Sequence, residues 1–131
     1  MYNTPQKLIA EFLGTFALIF FGAGSICTDQ YLHGAGGGLG LLGIALAHGL
    51  AIAIMVSALG HISGGHFNPA ITIGFWVTKR VNTVDTILYW AAQLAGAVQV
   101  LIGADGAGAK ENQRKRSKEF RDQFLRRVVH R

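Results

Sequence analysis

Three long, nearly uncharged runs restrict what this sequence can fold into more than any other feature. They are Leu8–Ile26, whose single charge is Glu11, and the uncharged Leu41–Leu59 and Thr86–Ala104. Each approaches the ~20 apolar residues that a helix needs to cross the hydrocarbon core of a bilayer. Only 15% of the 131 residues are charged, whereas soluble domains have about 25%. The runs therefore predict an all-α membrane protein with three spanning helices.

The positive charge is concentrated at one end of the chain. Residues 110–131 hold nine Lys/Arg and three Asp/Glu, so the net charge of +5 comes from this segment. We expect a membrane domain over residues 5–103 and a basic hydrophilic tail over residues 104–131. The tail composition fits a solvated, partly disordered segment, a basic amphipathic helix on an anionic membrane, or a nucleic-acid-binding segment, although we expect no nucleic-acid partner. The apolar positions of such a helix are Phe120, Phe124, Leu125 and Val128.

Basic residues beside the spans indicate the topology. Lys7 precedes the first span, while Lys79 and Arg80 precede the third, and the positive-inside rule places both ends in the cytoplasm. The apolar segment Ser63–Thr78 then begins and ends on the same side, which predicts a re-entrant element because it is too short to cross. The glycine-rich stretch Thr28–Gly40 is expected to be a flexible loop.

The dipeptide Asn68-Pro69 predicts a helix start inside the re-entrant segment. Asn is a favoured N-cap and Pro suits the first helical position, so Ala70–Val77 is expected to form about two turns. The N-terminus of a helix carries about half a positive charge, which would oppose cations at the membrane midplane. With an extended Gly64–Phe67 exposing its carbonyls, the segment would make a hydrogen-bonding path for a neutral polar molecule. A capped helix in a soluble protein is the alternative.

A few polar side chains lie inside the predicted spans. Such residues are costly in a bilayer and are often functional, which draws attention to Glu11, Gln93 and His48. Glu11 could instead extend to the interface, and His48 could pack against another helix. His61 and His66 have no Cys or carboxylate companions, so we expect no metal site. No paired carboxylates and no nucleophile–base arrangement stand out, so we expect neither enzymatic activity nor a cofactor.

Three stretches, in this order, resemble signatures of the major intrinsic proteins, the aquaporins and glycerol facilitators. Ala10–Phe16 is similar to their first-helix signature, Ser63–Gly74 to their first Asn-Pro-Ala box, and Ala92–Ala97 to their third-helix signature. The similarity covers about residues 5–100. It implies one half of an aquaporin-like fold, with three transmembrane helices and one re-entrant half-helix. It also implies passive transport of water or a small neutral solute, with ammonia and glycerol among the candidates.

The resemblance also implies roles for individual residues. Asn68 would donate its side-chain amide to the permeating molecule, and Glu11 and Gln93 would brace the loop around it. His48 would lie in the selectivity filter, where tonoplast-type members also carry His. The remaining residues of the implied solute path are Gly64, Gly65, His66, Phe67, Pro69 and Ala70.

The resemblance extends to partners and location, and the sequence departs from it in one respect. It implies a multi-pass protein of the lipid bilayer, in the plasma (inner) membrane, that forms homo-oligomers, tetramers in the family.

A full member has six spans and two Asn-Pro-Ala boxes, whereas this sequence has one box and three spans. We therefore expect a channel truncated after its first repeat, with a non-conducting membrane fragment or a regulatory partner of intact channels as the alternative.

Overall fold

The computed structural model describes the backbone of residues 2–34 and 36–129, and the side chains of residues 2–33, 36–103, 114–115 and 117–122. Every regular element in these ranges is a helix. The four helices in chain order are α1 (Thr4–Gly34), α2 (Gly40–Ser63), α3 (Pro69–Val77) and α4 (Thr83–Val129).

Three of the helices contain stretches long and apolar enough to cross a membrane. These stretches are Thr4–His33, Gly40–Ser63 and Thr83–Gly103. The fourth helix, α3, has nine residues, which is about half the length needed to span a bilayer. The predicted architecture of three spanning helices and one short helix is confirmed.

Local side-chain bonds define where α1 begins. The Asn3 backbone N–H donates to the Gln6 side-chain oxygen, and the Gln6 N–H donates to Asn3 Oδ1, both at 3.0 Å. This reciprocal pair is a capping box, which satisfies backbone donors that the first turn of a helix leaves without partners.

The end of α1 differs from the expected flexible loop over Thr28–Gly40. The helix continues to Gly34, and the connection to α2 is correspondingly short. Asp29 explains part of the difference, because its Oδ1 accepts a 2.7 Å hydrogen bond from the Gly40 N–H, the first residue of α2. Its Oδ2 lies 3.3 Å from Nδ1 of His33, one turn further along α1. One carboxylate therefore connects the two helix ends.

Almost all of the apolar surface of α2 is exposed. Ala51 and Ser63 are its buried residues, while leucines such as Leu41 and Leu42 are 83% and 73% exposed. Within the described residues α2 packs against α1. An apolar helix with so much free surface needs lipid or further protein around it, because water would not solvate it favourably.

The helix α4 begins at a capped position and runs further than the predicted third span. Asn82 Oδ1 accepts from the Asp85 N–H at 2.8 Å, and Asn82 Nδ2 donates to Asp85 Oδ2 at 3.0 Å. The chain divides into two compact units, Met1–Val100 and Leu101–Arg131. In the second unit the backbone is helical to Val129. The side chains of Phe124, Leu125 and Val128, which would form the amphipathic face, lie outside the described residues.

The centre of the first unit is polar. Among the described residues, the largest fully buried side chains are Gln93, Glu11 and Thr72, from three different helices. Buried polar groups are tolerated when they are hydrogen-bonded to one another, and these three meet around the loop between α2 and α3.

Candidate functional site

The connection between α2 and α3 is a tight loop of unusual backbone geometry. Gly64 ends α2 in the left-handed region at φ 97°, where its N–H donates to the Gly60 carbonyl. Gly65 follows at φ 68°, and Phe67 also has a positive φ of 49°. The expectation of an extended Gly64–Phe67 is therefore wrong. The loop turns sharply because α2 and α3 must be joined by only a few residues.

Contacts with α1 hold Phe67 in this uncommon conformation. A bulky residue at positive φ costs about 1–3 kcal/mol and persists only where its surroundings enforce it. The Phe67 N–H donates to Glu11 Oε2 at 2.7 Å, and its carbonyl accepts from Thr15 Oγ1 at 2.9 Å. Its ring lies directly over Gly14, where a side-chain carbon would overlap the ring atoms. Three residues within little more than one turn of α1 thus determine the loop shape.

The carboxylate of Glu11 accepts four hydrogen bonds. Its Oε1 accepts from Ser63 Oγ at 2.6 Å and from the His66 N–H at 3.0 Å. Its Oε2 accepts from the Phe67 N–H and from Gln93 Nε2, both at 2.7 Å. The residue is fully buried, and charge-assisted bonds to four donors offset the cost of that burial. Glu11 therefore lies against the loop and does not extend to the membrane interface.

The hydroxyl of Thr72 is the second centre of the buried network. It accepts a 3.0 Å hydrogen bond from Gln93 Nε2, donates to the Asn68 carbonyl at 3.1 Å, and lies 3.1 Å from Nδ1 of His66. A hydroxyl has one hydrogen to donate, so if that hydrogen goes to Asn68, Nδ1 of His66 must be the donor. The two hydrogens of the Gln93 amide both serve this network, while its Oε1 is buried without a partner among the described residues.

Asn68 caps α3 as its sequence context predicts. It has extended dihedrals, φ −155° and ψ 129°, and its Oδ1 accepts a 2.8 Å bond from the Ala70 N–H, with Pro69 in the first helical turn. An amide whose oxygen faces the helix directs its nitrogen away from it. The structure gives that nitrogen no acceptor within the described chain, so the Asn68 amide is a free donor at the N-terminus of α3.

The carbonyls of the loop divide into two groups. The Phe67 carbonyl accepts from Thr15, so one of its lone pairs is already used. The carbonyls of Gly64, Gly65 and His66 accept no hydrogen bond from the described part of the chain. A free amide donor and a series of free acceptors on neighbouring residues can bind and release a small molecule that both donates and accepts.

Aromatic residues pack behind the loop. The His66 ring stacks on Phe75 of α3 with centroids 4.4 Å apart, and Tyr89 of α4 meets its edge at 5.2 Å. The Tyr89 hydroxyl donates to the Ser63 carbonyl at 2.7 Å, and Trp90 donates to the Pro69 carbonyl at 3.2 Å. These bonds attach the loop to α4.

Sequence reasoning missed several residues of this site. Their shared signal is a hydroxyl group inside an otherwise apolar stretch, where a polar group needs a partner. The missed residues are Thr15, Ser63, Thr72 and Tyr89.

His48 lies away from the loop, on α2. Its Nδ1 is 3.2 Å from the carbonyl of Ile44, one turn earlier on the same helix. Its ring lies against Gly22 of α1, where an added side-chain carbon would be 2.6 Å from Nε2. The structure therefore shows His48 packed against a neighbouring helix and half-buried, and shows no hydrogen bond or ring contact between it and the loop.

The described residues include no group of three His, Cys, Asp or Glu side chains that could hold a metal ion. His61 meets the edge of the Tyr2 ring, with centroids 5.6 Å apart. His66 is engaged with Thr72 and Phe75. The two histidines therefore have separate packing partners.

Comparison with known proteins identifies the family. The sequence matches the family model described as Major intrinsic protein over residues 2–118. It is 46% identical over 93 residues to Aquaporin Z of Photorhabdus laumondii, a match that covers 71% of this chain and 39% of that protein. It is 44% identical over 111 residues to Aquaporin AqpM of Methanothermobacter marburgensis, covering 74% and 45%.

A plant relative shows similar identity. Aquaporin TIP4-4 of Zea mays is 47% identical over 94 residues, which cover 70% of this chain and 37% of the relative. The chain thus spans less than half the length of these relatives. Because the family model matches most of the chain and the helices have the expected lengths and polarity, the chain belongs to the major intrinsic protein family.

Proposed function

We propose that this chain forms one wall of a channel that conducts water or a small neutral solute passively across a membrane. The observation that carries the proposal is the free side-chain amide of Asn68 at the start of α3, next to the free carbonyls of Gly64, Gly65 and His66. The relatives named aquaporins support the same activity. Transport of this kind needs no covalent chemistry, so the role is that of a channel and not of an enzyme.

The electrostatics of the loop favour neutral solutes over cations. The N-terminus of α3 contributes a partial positive charge of about one half, and the described residues place no carboxylate beside the Asn68 amide. The carboxylate that bonds directly to the loop, that of Glu11, has its oxygens occupied by four donors. The loop therefore provides dipoles that replace the hydrogen bonds between a neutral solute and water, whereas the positive N-terminus of α3 repels a cation.

Glu11 and Gln93 act in this proposal as braces and not as contacts for the solute. Both are fully buried, and both bond to groups that shape the loop rather than to the free donor or acceptors. Pro69 and Ala70 contribute by starting α3, which aims the Asn68 amide. The solute path on this wall then consists of Asn68 and the carbonyls that precede it.

His48 is proposed to line the narrow outer part of the path, the selectivity filter. An imidazole is more polar than the Phe that many water-selective members carry there, which widens the range of solutes to include ammonia or glycerol. The tonoplast-like sequence around His48 supports this proposal, and Aquaporin TIP4-4 of Zea mays is among the relatives of the chain.

The surroundings of the channel follow from the free surface of its helices. The apolar faces of α1, α2 and α4 are suited to a lipid bilayer and to further copies of the chain, and we propose a homo-oligomer in the plasma (inner) membrane. The basic segment 104–131 would lie outside the membrane domain as a separate tail.

The competing function is a membrane protein that does not conduct, either an inactive fragment or a regulatory partner of intact channels. The observation that favours it is the coverage of the relatives, 39–45%, because these residues supply one wall only. Inverted-repeat transporters form their sites between two repeats.

Osmotic swelling of proteoliposomes that hold the 131-residue chain separates the two functions. Liposomes that hold a conducting channel change volume faster than empty liposomes do. The substitution Asn68→Asp, which exchanges the amide donor for an acceptor, should slow this volume change. A rate equal to that of empty liposomes, with the protein shown to be inserted, would favour the fragment or regulatory partner.

A further inference from the structure

We infer that Gly22 is the positioning residue of His48: it lets one edge of the imidazole lie against α1, with the hydrogen on Nδ1 and with Nε2 left as an acceptor. This inference rests on the proposed function, in which His48 lines the narrow part of the path. It adds the residue that determines where the ring lies, and the hydrogen-bonding character that the ring presents to a solute.

His48 lies on the seam between α1 and α2. Ile44, His48 and Ala51 are spaced i, i+4 and i+7, so they share one face of α2. Ala51 is buried and α2 packs on α1, so this face is the one turned toward α1. His48 is half-buried at the edge of this seam.

The ring of His48 fills the space left by the missing side chain at Gly22. A carbon added to Gly22 would lie 2.6, 2.7 and 3.1 Å from Nε2, Cδ2 and Cε1 of His48. Three atoms of one ring edge at these distances mean that the imidazole occupies the volume that any other residue would fill. A contact below 3 Å cannot persist, so a larger residue at position 22 must displace the ring from the seam.

The neighbours of the His48 ring determine which of its nitrogens carries the hydrogen. The Ile44 carbonyl can only accept, so Nδ1, at 3.2 Å from it, carries the hydrogen. Nε2 has no partner among the described residues, and the nearby carbonyl of Gly22 already accepts from the Ser25 hydroxyl at 2.7 Å. With this hydrogen on Nδ1, Nε2 is left as the acceptor of the ring, which suits a solute that brings an N–H or O–H.

The sequence offers a matched control for the glycine. Gly24 lies on the same helix, two residues along, and an added carbon there meets nothing within 4 Å. Gly24→Ala therefore changes helix propensity as Gly22→Ala does, but leaves the His48 ring where it is.

The structural test is solid-state NMR of the 131-residue chain in lipid, with ¹³C-labelled glycine and ¹⁵N-labelled histidine. The signals of His48 are assigned as those that disappear in the variant His48→Gln. We expect a protonated Nδ1, a bare Nε2 and a cross-peak between Nε2 and the Cα of Gly22. In Gly22→Ala the ring signals of His48 should shift, while Gly24→Ala should leave them unchanged. A protonated Nε2, or His48 signals that do not respond to Gly22→Ala, overturns the inference.

The functional test is the ratio of glycerol to water permeability in proteoliposomes. We expect Gly22→Ala to change this ratio several-fold, because the displaced ring alters the part of the path that His48 lines, and Gly24→Ala to leave the ratio unchanged. In the background of His48→Ala, the substitution Gly22→Ala should have no effect on the ratio. An equal effect with and without His48 would show that Gly22 acts through helix packing, which overturns the inference.

The two tests distinguish the inference from the proposed function. If the wild-type chain is no more permeable than empty liposomes, the proposed function fails, and the NMR result alone decides whether Gly22 positions the ring. If the chain conducts but the NMR signals contradict the position of the ring, the channel stands and the inference fails.

Discussion

Glu11 Oε2 accepts a 2.7 Å hydrogen bond from the backbone N–H of Phe67, which lies 56 residues later and has a φ of 49°. The pair connects a charge inside the first helix to the strained residue that precedes the cap of α3. Each side needs the other, because the carboxylate needs donors in its buried position and the backbone needs an acceptor to hold its uncommon conformation.

The substitution Glu11→Gln should destabilise the protein by about 3 kcal/mol, because an amide offers one acceptor oxygen where a carboxylate offers two, and at least one of the donors now at Oε2 loses its partner. The measurement is unfolding in detergent, followed by circular dichroism. Glu119→Gln, at an exposed position of α4, is the control and should change the free energy of unfolding by less than about 0.5 kcal/mol. Equal effects of the two substitutions would contradict a bracing role for Glu11.

The hydroxyl of Thr72 should contribute more to the stability of the protein than the volume of the side chain does. Thr72→Val keeps the shape but removes the acceptor for Gln93 and the donor for Asn68. Because buried groups are left without partners, we expect a loss of about 2–4 kcal/mol in the free energy of unfolding. Thr72→Ser keeps the hydroxyl and should lose less, about 1 kcal/mol for the missing methyl. If the serine variant were the less stable of the two, the network would not be the reason for burying Thr72.

Gly14 should tolerate no side chain, because the Phe67 ring occupies the space over it. Gly14→Ala forces either the ring or α1 to move, and overpacking of this kind costs about 1–3 kcal/mol. The control is Gly74→Ala in α3, where an added carbon meets nothing within 4 Å and where the higher helix propensity of Ala should stabilise by up to about 1 kcal/mol. Opposite signs of the two changes in unfolding free energy are the expected result.

Local features of the site could be predicted from the sequence, and contacts between distant residues could not. The cap at Asn68 and the start of α3 at Pro69 depend on adjacent residues, and both were predicted. The positive φ of Phe67 was not, because it results from bonds to α1 made across more than 50 residues. Thr72 looked like an ordinary residue of an apolar helix, since its partners come from two other segments.

The helix boundaries show the same division. The prediction ended the first span near Ile26, whereas α1 continues to Gly34 with its last turns joined to α2 through Asp29 and Gly40. A glycine-rich composition favours a loop only when no such bond forms. The lengths of the apolar runs, by contrast, were sufficient to predict three spanning helices, because the thickness of a bilayer sets that length irrespective of tertiary contacts.

Two substitutions at Asn68 separate its two roles, cap and donor. Asn68→Ala removes both the acceptor for the Ala70 N–H and the free amide, so it should cost about 1 kcal/mol of stability and also lower permeability. Asn68→Asp keeps an oxygen that caps α3, and its charge is favoured by the helix N-terminus, so the free energy of unfolding should change little. Permeability should still fall, because the amide donor that faces the path is replaced by an acceptor.

Unfolding in detergent and osmotic swelling, measured on the same preparations, check this pair of variants. The decisive comparison is the aspartate variant, in which a stable protein with reduced permeability assigns the loss to the missing donor. If Asn68→Asp were as permeable as the wild type while Asn68→Ala was not, the residue would act only through the cap of α3. The path for the solute would then depend on the loop carbonyls of Gly64, Gly65 and His66, and not on the amide of Asn68.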